Sequence, residues 1–105
     1  MKIVINQQTE AQAGFSAQSV ERLLRIAFTR YASLLKQVDL SWRTTTCPDL
    51  SPGYAVHLRA CLHGLPDVHV DEVQTRLQLA MDRAIQRTDG MLRQSARRKQ
   101  KTLAG

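Results

Sequence analysis

The sequence predicts a single α+β domain with the element order β-α-β-β-β-α. Two segments show the apolar spacing of amphipathic helices, and two others alternate apolar and polar residues as half-buried strands do. A short β-branched run opens the chain, and 105 residues suffice for only one domain. Because a crossover between parallel strands is right-handed, the first two strands should be parallel neighbours. The prediction is a four-stranded sheet with two helices packed on one face.

The N-terminal part predicts the first strand and the first helix. Lys2–Asn6 is the β-branched run. Ser16 is a suitable N-cap, and Phe15 before it would pack on Val20 as a hydrophobic staple. Apolar residues then keep the helical spacing as far as Val38: Val20, Leu23, Leu24, Ala27, Tyr31, Leu34, Leu35 and Val38. The opposite face of this helix would carry three basic residues: Arg22, Arg25 and Lys36.

The middle of the chain predicts an antiparallel meander with one solvent-facing side. Apolar and polar residues alternate at the start of segment 38–46, and threonines extend that strand. Residues 48–53 contain the proline, aspartate, serine and glycine of a loop, and alternation resumes over 54–62. A turn at 64–67 leads to the last strand, which begins with 68–70.

The last helix is predicted to begin at Asp71 and Glu72, whose negative charge suits the positive end of the helix dipole. Its inner face would consist of Val73, Leu77, Ala80, Met81, Ala84, Ile85, Thr88, Met91 and Leu92. A narrow arc beside that face holds Arg76, Arg83 and Arg87. Gly90 in the interior costs roughly 1 kcal/mol relative to alanine. Little remains to bury beyond Leu92, so we expect a domain of residues 1–95 and a basic, flexible tail of residues 96–105.

The net charge of +6 is concentrated at the C-terminal end. The first 75 residues contain seven basic and seven acidic side chains, whereas the last thirty contain eight basic and two acidic ones. Such asymmetry indicates a polyanionic partner, nucleic acid before an anionic membrane. The alternative is a solvated helix whose charge serves only to keep the protein soluble.

Several classes of protein are disfavoured. No apolar run approaches the roughly 20 residues of a membrane span, and the N-terminus is too short and polar for a secretion signal. Two cysteines do not form a disulfide framework, so the cytoplasm is the expected compartment. The sequence has neither a nucleophile elbow nor a glycine-rich phosphate loop, so we expect no enzyme, no cofactor and no small-molecule substrate. Five potential metal ligands lack the spacing of a closed site and are interpreted as structural or incidental: Cys47, His57, Cys61, His63 and His69.

The chain resembles the ribosome hibernation promoting factors, also called ribosome-associated inhibitors. The resemblance rests on the element order, the capped helix start at Phe15-Ser16, and Ala80, Asp82 and Arg87 of the last helix, followed by a basic tail. Gln78 departs from the pattern, since the family usually has an aromatic residue there. The resemblance implies a monomeric short form that binds the small ribosomal subunit and its rRNA in the mRNA and tRNA channel. It would inhibit translation by occupancy under stress or in stationary phase.

The resemblance and the charge pattern together give nine candidate RNA-binding residues: Arg22, Arg25, Arg76, Arg83, Arg87, Arg93, Arg97, Arg98 and Lys99. Two alternatives remain open. The same surface could bind double-stranded RNA or DNA in general. Otherwise the solvent-facing side of the sheet could be a protein-interaction module, through His57, Arg59, Cys61 and His69.

Overall fold

A computed structural model describes residues 1–7 and 16–104, and it confirms the predicted α+β fold and element order. The elements are β1 (Lys2–Gln7), α1 (Ala17–Phe28), a 3-10 turn (Thr29–Tyr31), β2 (Leu35–Thr46), β3 (Pro52–Leu62), β4 (Val68–Gln74) and α2 (Leu77–Ala104). Within these residues, no helix is both long and apolar enough to cross a membrane.

The four strands form one mixed sheet in the order β1-β2-β3-β4. β1 and β2 are parallel, as the crossover rule predicts, and the pairs β2–β3 and β3–β4 are antiparallel. Alternate residues face the helices, so the register places Leu40 beside Leu58, and Leu58 beside Val70. In the described part of the chain no helix packs on the other side of the sheet, which we call the open face.

The core lies between the sheet and a layer of two helices. α1 packs on β1, and α2 packs on β3 and β4. The largest fully buried side chains come from both layers: Trp42, Phe28, Leu24, Leu35, Leu40, Leu58, Met81 and Leu92. Leu23 and Met91, which the sequence pattern places in the apolar faces, are each 39% exposed.

The first helix begins as predicted and ends earlier. Ser16 caps it by accepting a hydrogen bond from the backbone N–H of Ser19, whereas the predicted Phe15 staple lies outside the described residues. The twelve residues of α1 measure about 18 Å, and the six residues of β1 measure about 20 Å. The helix thus spans the length of the strand it packs on and ends at Phe28. The predicted continuation to Val38 is therefore wrong. Lys36 lies on β2 and not on a helix.

The last strand is longer than predicted. Asp71 and Glu72 belong to β4 and do not begin the helix, because they pair with His57 and Val56 of β3. Val73 consequently lies on the strand, 46% exposed, and not on the inner face of α2. α2 begins at Leu77 and continues through Gly90 to Ala104. The flexibility of residues 96–105 stays a prediction.

Candidate nucleic-acid interface

Three arginines at the start and along one flank of α2 form what we call the α2 row: Arg76, Arg83 and Arg87. Arg83 and Arg87 are on the helix, whereas Arg76 lies in the bend before Leu77, so its predicted place within the last helix is wrong. At about 100° per residue the two helical positions, Arg83 and Arg87, fall within an arc of about 40°. All three side chains are exposed. The Nη1 atom of Arg87 donates a hydrogen bond of 2.7 Å to the carbonyl oxygen of Asp71 and forms a salt bridge with Glu72. Because Asp71 and Glu72 belong to the edge strand, the α2 row lies on the β4 side of the helix.

The opposite flank of α2 faces α1 and carries Asp89, which contacts the 3-10 turn that follows α1. Its carboxylate accepts from Arg30 at 3.0 Å and from Arg93 at 3.0 Å. The Arg30 guanidinium lies 5.3 Å from the ring centroid of Tyr31, whose hydroxyl donates to the Asp89 carbonyl at 3.4 Å. Arg93 is thus paired and lies apart from the α2 row.

The α1 arginines form a second, smaller set. Arg25 pairs with Glu21 at 2.9 Å, one helical turn away. Arg22 is exposed and has no acidic partner among the described residues. Because α1 lies on β1 and the α2 row points to β4, the two sets stand over opposite edges of the sheet. The structure therefore separates the α1 arginines from the α2 row.

The remaining candidates belong to the end of α2. Arg97 is exposed, and Arg98 lines a cleft between α2 and the turn before β4. The side chain of Lys99 lies outside the described ones. Within the described ranges, the nine candidates thus include four arginines without a salt bridge to an acid: Arg22, Arg76, Arg83 and Arg97.

The open face of the sheet carries a different kind of surface. Asp39 accepts from Arg59 at 2.7 Å and raises the pKa of that guanidinium, and Asp71 contacts His57 Nδ1 at 2.7 Å. The rings of His57 and His69 are 5.6 Å apart at the rim of a cleft of about 350 Å³. These charges largely compensate one another. The described residues contain no cluster of three or more histidine, cysteine or acidic side chains arranged to hold a metal ion.

A cleft on the same flank as the α2 row was not foreseen from the sequence. It measures about 260 Å³ and lies between the turn that precedes β4 and the second half of α2. Asp67, Met91 and Gln94 are among the residues that line it. No local pattern indicates this cleft, because it depends on how α2 crosses the end of β4.

Comparison with known proteins identifies the fold. No family model matches the sequence, and none of the curated proteins matches it significantly. Among solved structures, the N-terminal domain of Protein Y from Thermus thermophilus has a TM-score of 0.60 and 18% sequence identity. The match covers 90% of this chain and 98% of that domain. A second match, to rare lipoprotein B from Shewanella oneidensis, covers 99% of this chain and 94% of that one, with 16% identity and a TM-score of 0.29.

Proposed function

We propose that this protein is a ribosome-associated translation inhibitor that binds rRNA of the small subunit in the channel used by mRNA and tRNA. It acts by occupancy under stress or in stationary phase, as a cytoplasmic monomer without chemistry or a cofactor. The observation that carries the proposal is the α2 row. Its three exposed arginines lie at the beginning of the strongly basic end of the chain, Arg76 just before α2 and Arg83 and Arg87 on one flank of it. The planar guanidinium fork suits phosphate oxygens.

Two further observations support this proposal. The fold shared with the Thermus Protein Y domain is consistent with the resemblance to the ribosome hibernation factors. Arg76 and Arg83 also have no acidic partner among the described residues, so their charge is available to phosphate. Arg93 and Arg25, by contrast, are already paired within the protein. We therefore assign the main phosphate contacts to Arg76, Arg83 and Arg97, which form no salt bridge within the described residues. Secondary contacts are assigned to Arg22, Arg25, Arg87, Arg93, Arg98 and Lys99.

The test is co-sedimentation with separated ribosomal subunits over a series of salt concentrations. Binding to the small subunit should weaken steeply with salt, because phosphate contacts release counterions. The double variant Arg76→Gln, Arg83→Gln should bind more weakly and reduce the slope of log K against log salt by roughly 1–2. Arg87 is left unchanged because its salt bridge to Glu72 supports the fold.

A matched control removes the same charge elsewhere. Lys36 and Arg43 are exposed residues of β2, and the variant Lys36→Gln, Arg43→Gln lowers the net charge equally. The proposal requires this control to bind nearly as well as the unchanged protein. Equal losses in both double variants would show that net charge alone matters. If a free RNA or DNA duplex competes as well as the small subunit, the protein is a general duplex binder instead.

A further inference from the structure

The cleft beside the α2 row combines apolar and polar side chains in the manner of a base-binding site. We call it the rim cleft, and the residues that matter for its chemistry are Pro66, Asp67, His69, Met91, Gln94 and Arg98. Its volume of about 260 Å³ is below the roughly 300–1,000 Å³ of sites for drug-sized ligands. A space of this size suits one planar base.

The rim cleft continues the α2 row along the same flank of the helix. Met91 and Gln94 follow Arg87 by four and seven positions, so they stand one and two turns further along. The separation between Arg87 and Gln94 is about 10 Å along the helix axis. An RNA strand whose phosphates contact the row therefore passes the mouth of the cleft.

Asp67 is an acidic residue next to the proposed phosphate-binding arginines. A surface that binds only phosphate is not expected to have an acidic residue at this position. Asp67 is exposed and lines the cleft on the turn side, opposite α2. Its carboxylate also accepts a hydrogen bond from the Cys61 thiol, and its two oxygens leave further acceptor positions for a ligand. A carboxylate repels phosphate, but it accepts hydrogen bonds from the N–H groups of a base edge. Guanine presents two such groups side by side on its Watson–Crick edge. Uracil presents one N–H between two carbonyl oxygens, which a carboxylate repels.

The other side chains complete the recognition of a base. The Gln94 amide both donates and accepts hydrogen bonds, so it can contact a second polar group of the base edge. Met91, 39% exposed, and Pro66 supply apolar surface for the base plane. The His69 imidazole at the rim is of the kind on which unstacked RNA bases are held.

We propose that the rim cleft binds one unpaired base of the RNA, with guanine preferred because Asp67 accepts its two Watson–Crick N–H groups. This inference rests on the proposed function, since it adds base recognition to the same RNA-binding flank. The α2 row holds phosphates and carries no sequence information, whereas the cleft reads a base.

The experiment is a fluorescence anisotropy titration with four single-stranded RNA octamers at low salt. One is all uridine, and the others carry a single central guanosine, adenosine or cytidine. The guanosine octamer should bind about tenfold more tightly than the all-uridine one. The Asp67→Asn variant should lose that preference, and Gln94→Ala should weaken binding of the guanosine octamer severalfold.

Two control variants separate base recognition from general effects. Asp82→Asn removes one exposed acid from α2 outside the cleft, and Gln86→Ala truncates an exposed glutamine of the same helix. Both should preserve the preference for guanosine. Thermal unfolding of each variant shows that the fold is retained.

Three results would overturn the inference. The first is equal affinity for all four octamers, and the second is no binding of any of them. The third is that Asp67→Asn and Asp82→Asn raise the affinity for every octamer by the same factor, which would show that only the removed charge matters. Failure of the proposed function is recognised separately. If the guanosine preference is found but the protein does not co-sediment with the small subunit, base binding in the rim cleft is supported and the proposed function is wrong. If the protein binds the small subunit without any base preference, the proposed function is supported and base binding in the rim cleft is wrong.

Discussion

Glu72 of β4 and Arg87 of α2 form a salt bridge that ties the edge strand to the long helix. The Glu72 side chain is only 13% exposed, whereas that of Arg87 is 49% exposed. Arg87 also donates to the backbone carbonyl of Asp71 at 2.7 Å. An arginine that sequence spacing groups with RNA-binding residues therefore also has a structural role. Its neighbour in the α2 row, Arg83, forms no salt bridge with the described residues.

The first prediction concerns this difference between two arginines of one row. Arg87→Gln should lower the free energy of unfolding by about 1 kcal/mol, because it leaves a largely buried carboxylate and a strand carbonyl without their donor. Arg83→Gln should change it by less than about 0.5 kcal/mol. Urea unfolding at low salt measures both values. Equal stability of the two variants would show that the Arg87 contacts contribute nothing.

The strands and the core of α2 could be predicted from the sequence because their signals are local. Alternation over residues 54–62 depends only on one side of the strand being buried. The end of α1 could not be located this way, since Leu35 and Val38 are three residues apart, as in a helix. Both are buried in β2, where the pairing with β3 shifts register between Leu35 and Gln37. The length of the crossover over β1 decides where the helix ends, and that is a property of the whole fold.

The candidate site shows the same division between local and tertiary information. The exposure of Arg83 and Arg87 follows from helical periodicity, which the sequence contains. The pairing of Arg30 with Asp89 joins residues far apart in the chain, and no local pattern indicates it. Asp71 and Glu72 suited a helix start electrostatically, but pairing with β3 places them in a strand. Tertiary contacts therefore decide which charges remain available to a partner.

The second prediction uses two glycines in opposite surroundings. A Cβ atom at Gly53 would lie 2.4 Å from Cys47 Sγ and 2.8 Å from the Gln74 carbonyl oxygen, so Gly53→Ala should destabilise the fold by about 3 kcal/mol. At Gly90, exposed in α2, no described atom beyond the helix's own backbone lies within 4 Å of that position. Gly90→Ala should therefore stabilise the protein by about 1 kcal/mol. Thermal or urea unfolding gives both signs.

The Gly53 result has its own control. Cys47→Ala removes the sulfur but leaves the Gln74 carbonyl in place, so the double variant Cys47→Ala, Gly53→Ala should recover only part of the loss. Full recovery would show that the backbone contact does not matter. A stable Gly53→Ala single variant would contradict the close approach itself.

The third prediction concerns pH and the loop between β2 and β3. The Asp49 carboxylate accepts from the Ser51 hydroxyl at 2.5 Å and from its backbone N–H at 3.1 Å, and these bonds lower the pKa of Asp49. Because the folded state favours the ionised form, this contribution to stability is present above the ordinary pKa near 3.8. It is lost as the pH falls through the lowered value.

NMR titration of the Asp49 carboxyl carbon measures this effect directly. Ser51→Ala removes the hydroxyl donor, which is the largest cause of the shift, so the pKa of Asp49 should rise towards its ordinary value. Ser33→Ala, at an exposed serine outside this loop, should leave the titration unchanged. An unaltered Asp49 titration in Ser51→Ala would show that the hydroxyl bond does not persist in solution.

The fourth prediction concerns the reactivity of Cys61 on the open face. Burial raises the pKa of its thiol, and the nearby Asp67 carboxylate raises it further. Because the thiolate is the reactive form, Cys61 should react with iodoacetamide more slowly at neutral pH than the same residue in the unfolded chain. Asp67→Asn removes the repelling charge and should speed the reaction, whereas Asp82→Asn should not. Mass spectrometry of the digested protein separates the Cys61 peptide from that of the buried Cys47. If Asp67→Asn leaves the rate unchanged, the Asp67 carboxylate does not act on the thiol, and burial alone accounts for its slow reaction.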